Sequence, residues 1–238
     1  METNKKPIFN IFMSIFFALI IFGGYFYVIF GQFQEPLKPT YFYFGCVCAC
    51  FLFSLFFVKV KSKETLVTLA LALTVVADYY LVLNLSGAEE NRLIGLCVFC
   101  AVQLVYALYT LTLNRSIGTR VINIALRVAL CMLIYFIVPL YFELALIEMI
   151  SLMYIANFVV SILVLLVHIK THWLMLLGYL LFFACDIFVG LINGGAAFFG
   201  ITGDLLNFIL SHDIAFYCYI PGLFLIALST VWKKEKKE

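Results

Sequence analysis

The sequence predicts an all-α fold, a polytopic integral membrane helix bundle with eight transmembrane helices in a single domain, 1–238. Three observations carry this expectation. The 238 residues are 66% hydrophobic and 12% charged, with mean hydropathy +1.13, whereas a soluble domain carries about 45 to 50% apolar and 25% charged residues. Polar surface is therefore too scarce to coat a globule in water. Apolar runs of spanning length recur along the chain, and the basic residues between them segregate to alternate loops.

The runs fall at 8–30, 40–58, 64–85, 93–113, 121–138, 144–167, 173–192 and 212–232. Each approaches the roughly 20 apolar residues that a spanning helix needs. In hydrocarbon each must be helical, because backbone polar groups find no partner outside their own segment. The first run is longer than a signal-peptide core and lacks a small-residue cleavage site after it, so it reads as a span and the mature chain is expected to start at Met1. The second run ends at Lys59, the fourth follows Arg92 and stops before Arg115, the fifth follows Arg120, the sixth closes before Lys170, and the last meets Lys233. The stretch 193–211, with its LLNFIL run, reads either as an interfacial helix or as an early start of the last span.

With the N-terminus inside, Lys5, Lys6, Lys59, Lys61, Lys63, Arg115, Arg120, Arg127, Lys170, Lys233, Lys234, Lys236 and Lys237 all fall on the inner side, and only Lys38 and Arg92 fall outside. This obeys the positive-inside rule and places both termini in the cytoplasm of a plasma-membrane protein. Arg127 is counted inside because it lies less than two turns into its run and can snorkel. A formal charge of +2, with the charges at segment ends rather than in a basic stripe, excludes a nucleic-acid binder.

LTVVADYYLVLNLSG (73–87) and LFFACDIFVGLINGG (181–195) echo each other, with an Asp inside an apolar run, a Leu five residues on, and Asn and Gly at the exit. An offset of four spans restores the direction through the membrane, so the echo points to two four-helix halves related by an axis along the normal.

Those two acids, Asp78 and Asp186, are the sharpest functional signal. A carboxylate at depth costs roughly 2.5 to 3.5 kcal/mol on the insertion scale, and intramembrane ionisable groups usually face a bundle interior with a function. At 1.5 Å per residue both lie about 9 to 10 Å in from the outer ends of their runs, so they reach the same level. Two carboxyls sharing an apolar site separate into one acid and one base. That division of labour serves bond cleavage through an oxocarbenium-like intermediate, one group giving a proton and the other activating water. The plainer reading makes each a helix-to-helix hydrogen-bonding residue.

Around this layer Glu148, Gln103 and Tyr106 are candidate substrate-binding residues. Glu148 reads equally well as an interfacial acid with its head in water. Gln103 and Asn157, the polar groups nearest mid-membrane, either orient a reactant or bond helices together. Tyr79, Tyr80 and Tyr106 are deep enough to line an apolar pocket with a polar tip. Tyr25, Tyr27, Tyr41, Tyr43, Tyr109, Tyr141 and Trp232 sit near span ends, as an aromatic belt does.

Cys46, Cys48 and Cys50, and Cys97 with Cys100, lie inside apolar runs without the four convergent ligands of a zinc site, so they read as packing residues and no metal or other cofactor is expected. His168 and His172 read as interfacial, and His212 as a polar helix start. No phosphate loop or nucleophile elbow is present.

Several segments together resemble the lysoplasmalogenase family, called YhhN-like in bacteria, over about residues 38–229. KPT at 38–40, ADYYLVL at 77–83, GLCVFCAVQLVY at 95–106, FFACDIFVGL at 182–191 and FYCYIPGLFLIALS at 216–229 are similar to its second, third, fourth, seventh and last spans. The resemblance implies an eight-span hydrolase that cleaves the vinyl ether bond of lysoplasmalogens to an aldehyde and a glycerophospho-alcohol, with a membrane lysophospholipid as partner. It places Asp78 and Asp186 at the family's essential aspartates and Lys38 at its lysine. The chain departs from the pattern at Gln103, where the family has His, at Ala77, where it has Gly, and at Pro221, Gly222 and Leu223 in the last span. Glutamine cannot exchange a proton near neutral pH, so activity depends on whether that His relays a proton or only donates a hydrogen bond. The alternative function is a non-catalytic lipid or small-molecule carrier whose carboxylate pair couples to protons during alternating access. A third reading is a scaffold in which the aspartates only pair helices. Nothing in the sequence fixes the oligomeric state.

Overall fold

The computed structural model describes residues 5–30, 39–59, 62–83, 89–114, 116–143, 146–198 and 214–232. The elements are α1 (Lys5–Phe30), α2 (Pro39–Phe57), α3 (Glu64–Asp78) continued by a π turn (Tyr79–Leu83), α4 (Glu89–Leu113), α5 (Ile117–Phe136) followed by a short 3₁₀ turn (Val138–Leu140), α6 (Leu146–Val167), α7 (Ile169–Phe198) and α8 (Ile214–Ser229). The described chain is all-α. Seven helices are long and apolar enough to cross a membrane, α3 with its π turn among them, and α8 is a shorter apolar helix. This is a multi-pass membrane architecture.

The helices extend beyond several predicted runs. α4 begins at Glu89 and α5 at Ile117, because apolarity marks only the part of a helix that lies in hydrocarbon, while the flanking polar turn stays helical in the headgroup region. α7 runs from Ile169 through a kink at His172, whose φ of −127° and ψ of 29° are not helical, and it takes in 193–198. The remainder of the stretch left open above, 199–211, and Lys38 and His212 lie outside the described residues.

Neighbouring helices repeat under a shift of four. α1 packs on α2 as α5 packs on α6, α2 on α3 as α6 on α7, and α3 on α4 as α7 on α8; α4 contacts α6 as α8 contacts α2. This is the adjacency expected of two four-helix halves. α8 also touches α1 and α3, contacts that the other half does not match in extent.

The core is aromatic. Phe158 stacks on Tyr179 with ring centroids 4.6 Å apart, Tyr106 meets Tyr179 edge-on at 5.0 Å, and Phe182 leans on Tyr219 at 5.4 Å. Phe9, Ile11, Phe12, Ile15 and Leu19 on α1, and Val121, Ile122, Val128 and Leu133 on α5, are exposed, the surface that acyl chains would cover.

Not all of the expected belt faces outward. Tyr27, Tyr41, Tyr141 and Trp232 are exposed, but Tyr25, Tyr43 and Tyr109 are buried. Tyr43 stacks on Phe216 at 4.1 Å, Tyr109 meets His172 Nδ1 at 3.3 Å, and the Tyr25 hydroxyl donates to the Tyr217 carbonyl at 3.1 Å. These rings face neighbouring helices because a phenol satisfied by a protein acceptor needs no headgroup water. Pro221 explains the last bond. Lacking an N–H, it leaves the Tyr217 carbonyl, four residues earlier, without its helical donor.

Candidate functional site

Asp78 closes α3, and the helix continues from Tyr79 as a π turn. The extra residue in such a turn shifts the side chains that follow, and π turns gather at functional sites. Tyr79 is exposed, while Asp78 is buried. Tyr80 is half-buried and neither tyrosine bonds an aspartate in the structure. Asp186 lies in α7 and is half-buried.

The two acids lie within electrostatic range of one another and of Tyr219 and Cys185. Each has its own phenol. Tyr219 on α8 donates to Asp78 Oδ2 at 2.5 Å, and Tyr154 on α6 donates to Asp186 Oδ2 at 2.5 Å. Four helices thus meet at one carboxylate layer, with Cys48 of α2 also near Asp78. Tyr154 and Tyr219 were not singled out from the sequence. Among 14 tyrosines in an apolar chain, only the packing of α6 and α8 tells which phenols point inward.

Gln103 on α4 is buried, and neither its amide nitrogen nor its amide oxygen has a hydrogen-bond partner of good geometry, although the amide lies beside the Tyr154 phenol. The Tyr106 and Tyr179 hydroxyls, also buried, likewise lack such a partner, with Ser161 adjacent to Tyr179. Leaving a buried polar group unsatisfied costs about 1 to 3 kcal/mol, so each of these side chains marks a place for water or for a polar atom of a bound molecule. Glu148 does not join this layer. It sits in the first turn of α6, about 9 Å along the axis from Tyr154 and on another face of the helix.

A second polar layer lies two helical turns away along the same helices, about 10 Å. α6 passes from Tyr154 to Ser161, α7 from Asp186 back to Tyr179, and α4 from Gln103 to Thr110, each over seven residues. Here Arg127 is buried and does not snorkel, a correction to the sequence reading. The guanidinium is held inside the bundle by groups of α4, α5 and α6 and so does not reach for the interface. Its Nε donates to Asn123 Oδ1 at 2.8 Å, Nη1 to the Asn157 carbonyl at 2.9 Å and to Asn157 Oδ1 at 3.1 Å, and Nη2 to Thr110 Oγ1 at 3.1 Å and Ser161 Oγ at 3.0 Å. Asn157 is therefore a partner of Arg127. The positive-inside bias rests on the other basic residues.

Among the described residues no group of three or more His, Cys, Asp and Glu side chains is arranged to hold a metal ion. His168 Nδ1 pairs with the Val164 carbonyl at 2.9 Å near the end of α6.

What these features define is a helical membrane bundle with paired, phenol-bonded carboxylates in its interior. No family model matches the chain, and neither a curated protein nor a solved structure is similar to it.

Proposed function

We propose that the protein is a membrane-embedded hydrolase resembling lysoplasmalogenases, with Asp78 and Asp186 as its acid and base and a single-chain vinyl ether lipid as substrate. The observation that carries this reading is the convergence of the two carboxyls on one interior layer, each bonded to its own tyrosine. One aspartic acid delivers its proton to the alkenyl carbon remote from the ether oxygen, giving an oxocarbenium ion. The other carboxylate takes a proton from water as the water oxygen bonds to the carbon next to the ether oxygen. The resulting hemiacetal collapses to a fatty aldehyde and the glycerophospho-alcohol, and the proton exchanged between the two carboxyls closes the cycle. Tyr219 and Tyr154 each occupy one carboxyl oxygen and orient the other toward the reactant. Gln103 holds the water through its amide, a role that needs hydrogen bonding and no proton exchange. The same reading places the protein in the plasma membrane with both termini in the cytoplasm and keeps Lys38 as a substrate-binding residue.

The test is release of fatty aldehyde from lysoplasmalogen by the purified full chain in nanodiscs. Wild type should turn over, and Asp78→Asn and Asp186→Asn should each abolish turnover. No aldehyde from wild type, or release by both variants equal to that of wild type, would end this reading.

A proton-coupled carrier is the second reading, and the repeated helix adjacency together with the break in helical register beside Asp78 favours it. Lipid uptake into proteoliposomes driven by a proton gradient, without aldehyde release, would replace the hydrolase by the carrier.

A further inference from the structure

The guanidinium of Arg127 has five acceptors, and all are neutral: two amide oxygens, a backbone carbonyl and two hydroxyls. Hydrogen bonding is satisfied without an ion pair among the described residues, and a cation buried in a bilayer is costly until an anion joins it. Beside it an apolar groove of about 420 Å³ opens between α4, α5 and α6. Leu104, Val128, Cys131, Met132 and Met153 line its apolar wall, and Arg127 and Asn157 stand at one end, the guanidinium buried behind that wall until the Asn157 side chain turns. The volume lies toward the lower end for ligand pockets, suited to one acyl chain rather than two. Two methionines give the wall a surface that conforms to a flexible chain.

Asn157 is built to yield. Its Oδ1 shares Nη1 with its own backbone carbonyl, so the guanidinium keeps a partner there if the side chain turns. Its Nδ2 makes only long contacts, 3.3 Å to the Met153 carbonyl and 3.7 Å to Cys131 Sγ. A carboxylate entering along the groove can take Nη1 with one oxygen and Nδ2 with the other. A phosphate, with more oxygens and more charge, would leave acceptors bare in hydrocarbon.

We propose that Arg127 and Asn157 form a fatty-acid subsite in the membrane interior, the carboxylate on the guanidinium and the acyl chain in the groove between α4, α5 and α6. The subsite is separate from the aspartate layer and stands whether or not the chain hydrolyses vinyl ethers.

Radiolabelled oleate is the probe, added to the full chain in nanodiscs of zwitterionic lipid, with oleyl alcohol and oleoyl lysophosphatidate as competitors. Wild type should bind oleate saturably, oleyl alcohol should compete poorly, and Asp78→Asn should bind as wild type does. Arg127→Gln should weaken binding at least about tenfold, as loss of a charge-assisted bond predicts. Met132→Trp, which fills the groove without touching the Arg127 network, should weaken it similarly in a protein that still elutes as a folded species. Absence of saturable oleate binding, unchanged binding by Met132→Trp, equal competition by oleyl alcohol, or preference for lysophosphatidate would each overturn the proposal.

Discussion

Gly178 and Gly222 bring α7 and α8 into backbone contact. A Cβ at Gly178 would stand 2.7 Å from the Gly222 carbonyl oxygen, and one at Gly222 would stand 3.0 Å from the Gly178 carbonyl oxygen. Small residues permit such crossings in membranes, where close packing rather than water exclusion holds helices together. Tyr219 lies less than one turn from this crossing, and Asp186 two turns beyond it, so the two glycines set how the acid-bearing and phenol-bearing helices meet. Gly178→Ala should destabilise the protein by roughly 1 to 3 kcal/mol, the usual range for overpacking, read as a fall in melting temperature of the detergent-solubilised chain. Gly190→Ala is the control. Nothing lies within 4 Å of a Cβ there, and its melting temperature should hold or rise slightly, because Ala favours the helix over Gly.

Tyr219→Phe and Tyr154→Phe each delete one hydroxyl and leave the ring packing, Phe182 against residue 219 and Phe158 against residue 154. A hydrogen bond to an ionised group contributes about 1.5 to 3 kcal/mol, so each variant should lose between about ten- and a hundredfold in aldehyde release. Loss in only one of the two would assign the more demanding proton transfer to that phenol's aspartate. Full activity in both would show that the phenols do not orient the acids.

The part of this site that was legible in the sequence is the part that violates its surroundings. Asp78 and Asp186 stand out because a carboxylate inside an apolar run has few bland explanations. Tyr154 and Tyr219 do not, since a phenol is at home in lipid, at the interface and in a core, and no helical periodicity distinguishes inward from outward when every face is apolar. Arg127 was legible as a residue and misplaced as a group: its partners on α4 and α6, which hold the cation inside, exist only once the helices pack. Gly178 and Gly222 carry no signal by themselves, because a close approach is a property of two helices.

The Tyr25 hydroxyl compensates for the donor that Pro221 removes from α8, which makes an unusual prediction about additivity. Tyr25→Phe should cost about 1 kcal/mol of stability, the net value of such a bond. In a Pro221→Ala background residue 221 regains its N–H, the Tyr217 carbonyl has a helical donor, and the same Tyr25→Phe substitution should cost little. A double-mutant cycle on thermal stability isolates this coupling. Additive effects would mean that the bond at 3.1 Å does not substitute for the helical one.

Gly95 of α4 lies against the π turn that follows Asp78. A Cβ there would fall 2.5 Å from Leu81 Cγ and 3.3 Å from the Ala77 carbonyl oxygen. Gly95→Ala must therefore push Leu81 aside or shift the turn, and the turn is joined directly to the carboxylate. Aldehyde release should fall severalfold in Gly95→Ala while the melting temperature changes less than in Gly178→Ala, because the clash falls on a side chain rather than on a facing backbone. Trimming the obstruction provides the decisive arm. Leu81→Ala in the Gly95→Ala background removes the colliding atoms and should restore most of the activity, a sign change that independent sites do not give. If the double variant is as impaired as the product of the two single variants predicts, the contact between Gly95 and Leu81 does not position Asp78, and the π turn is only a packing feature of α3.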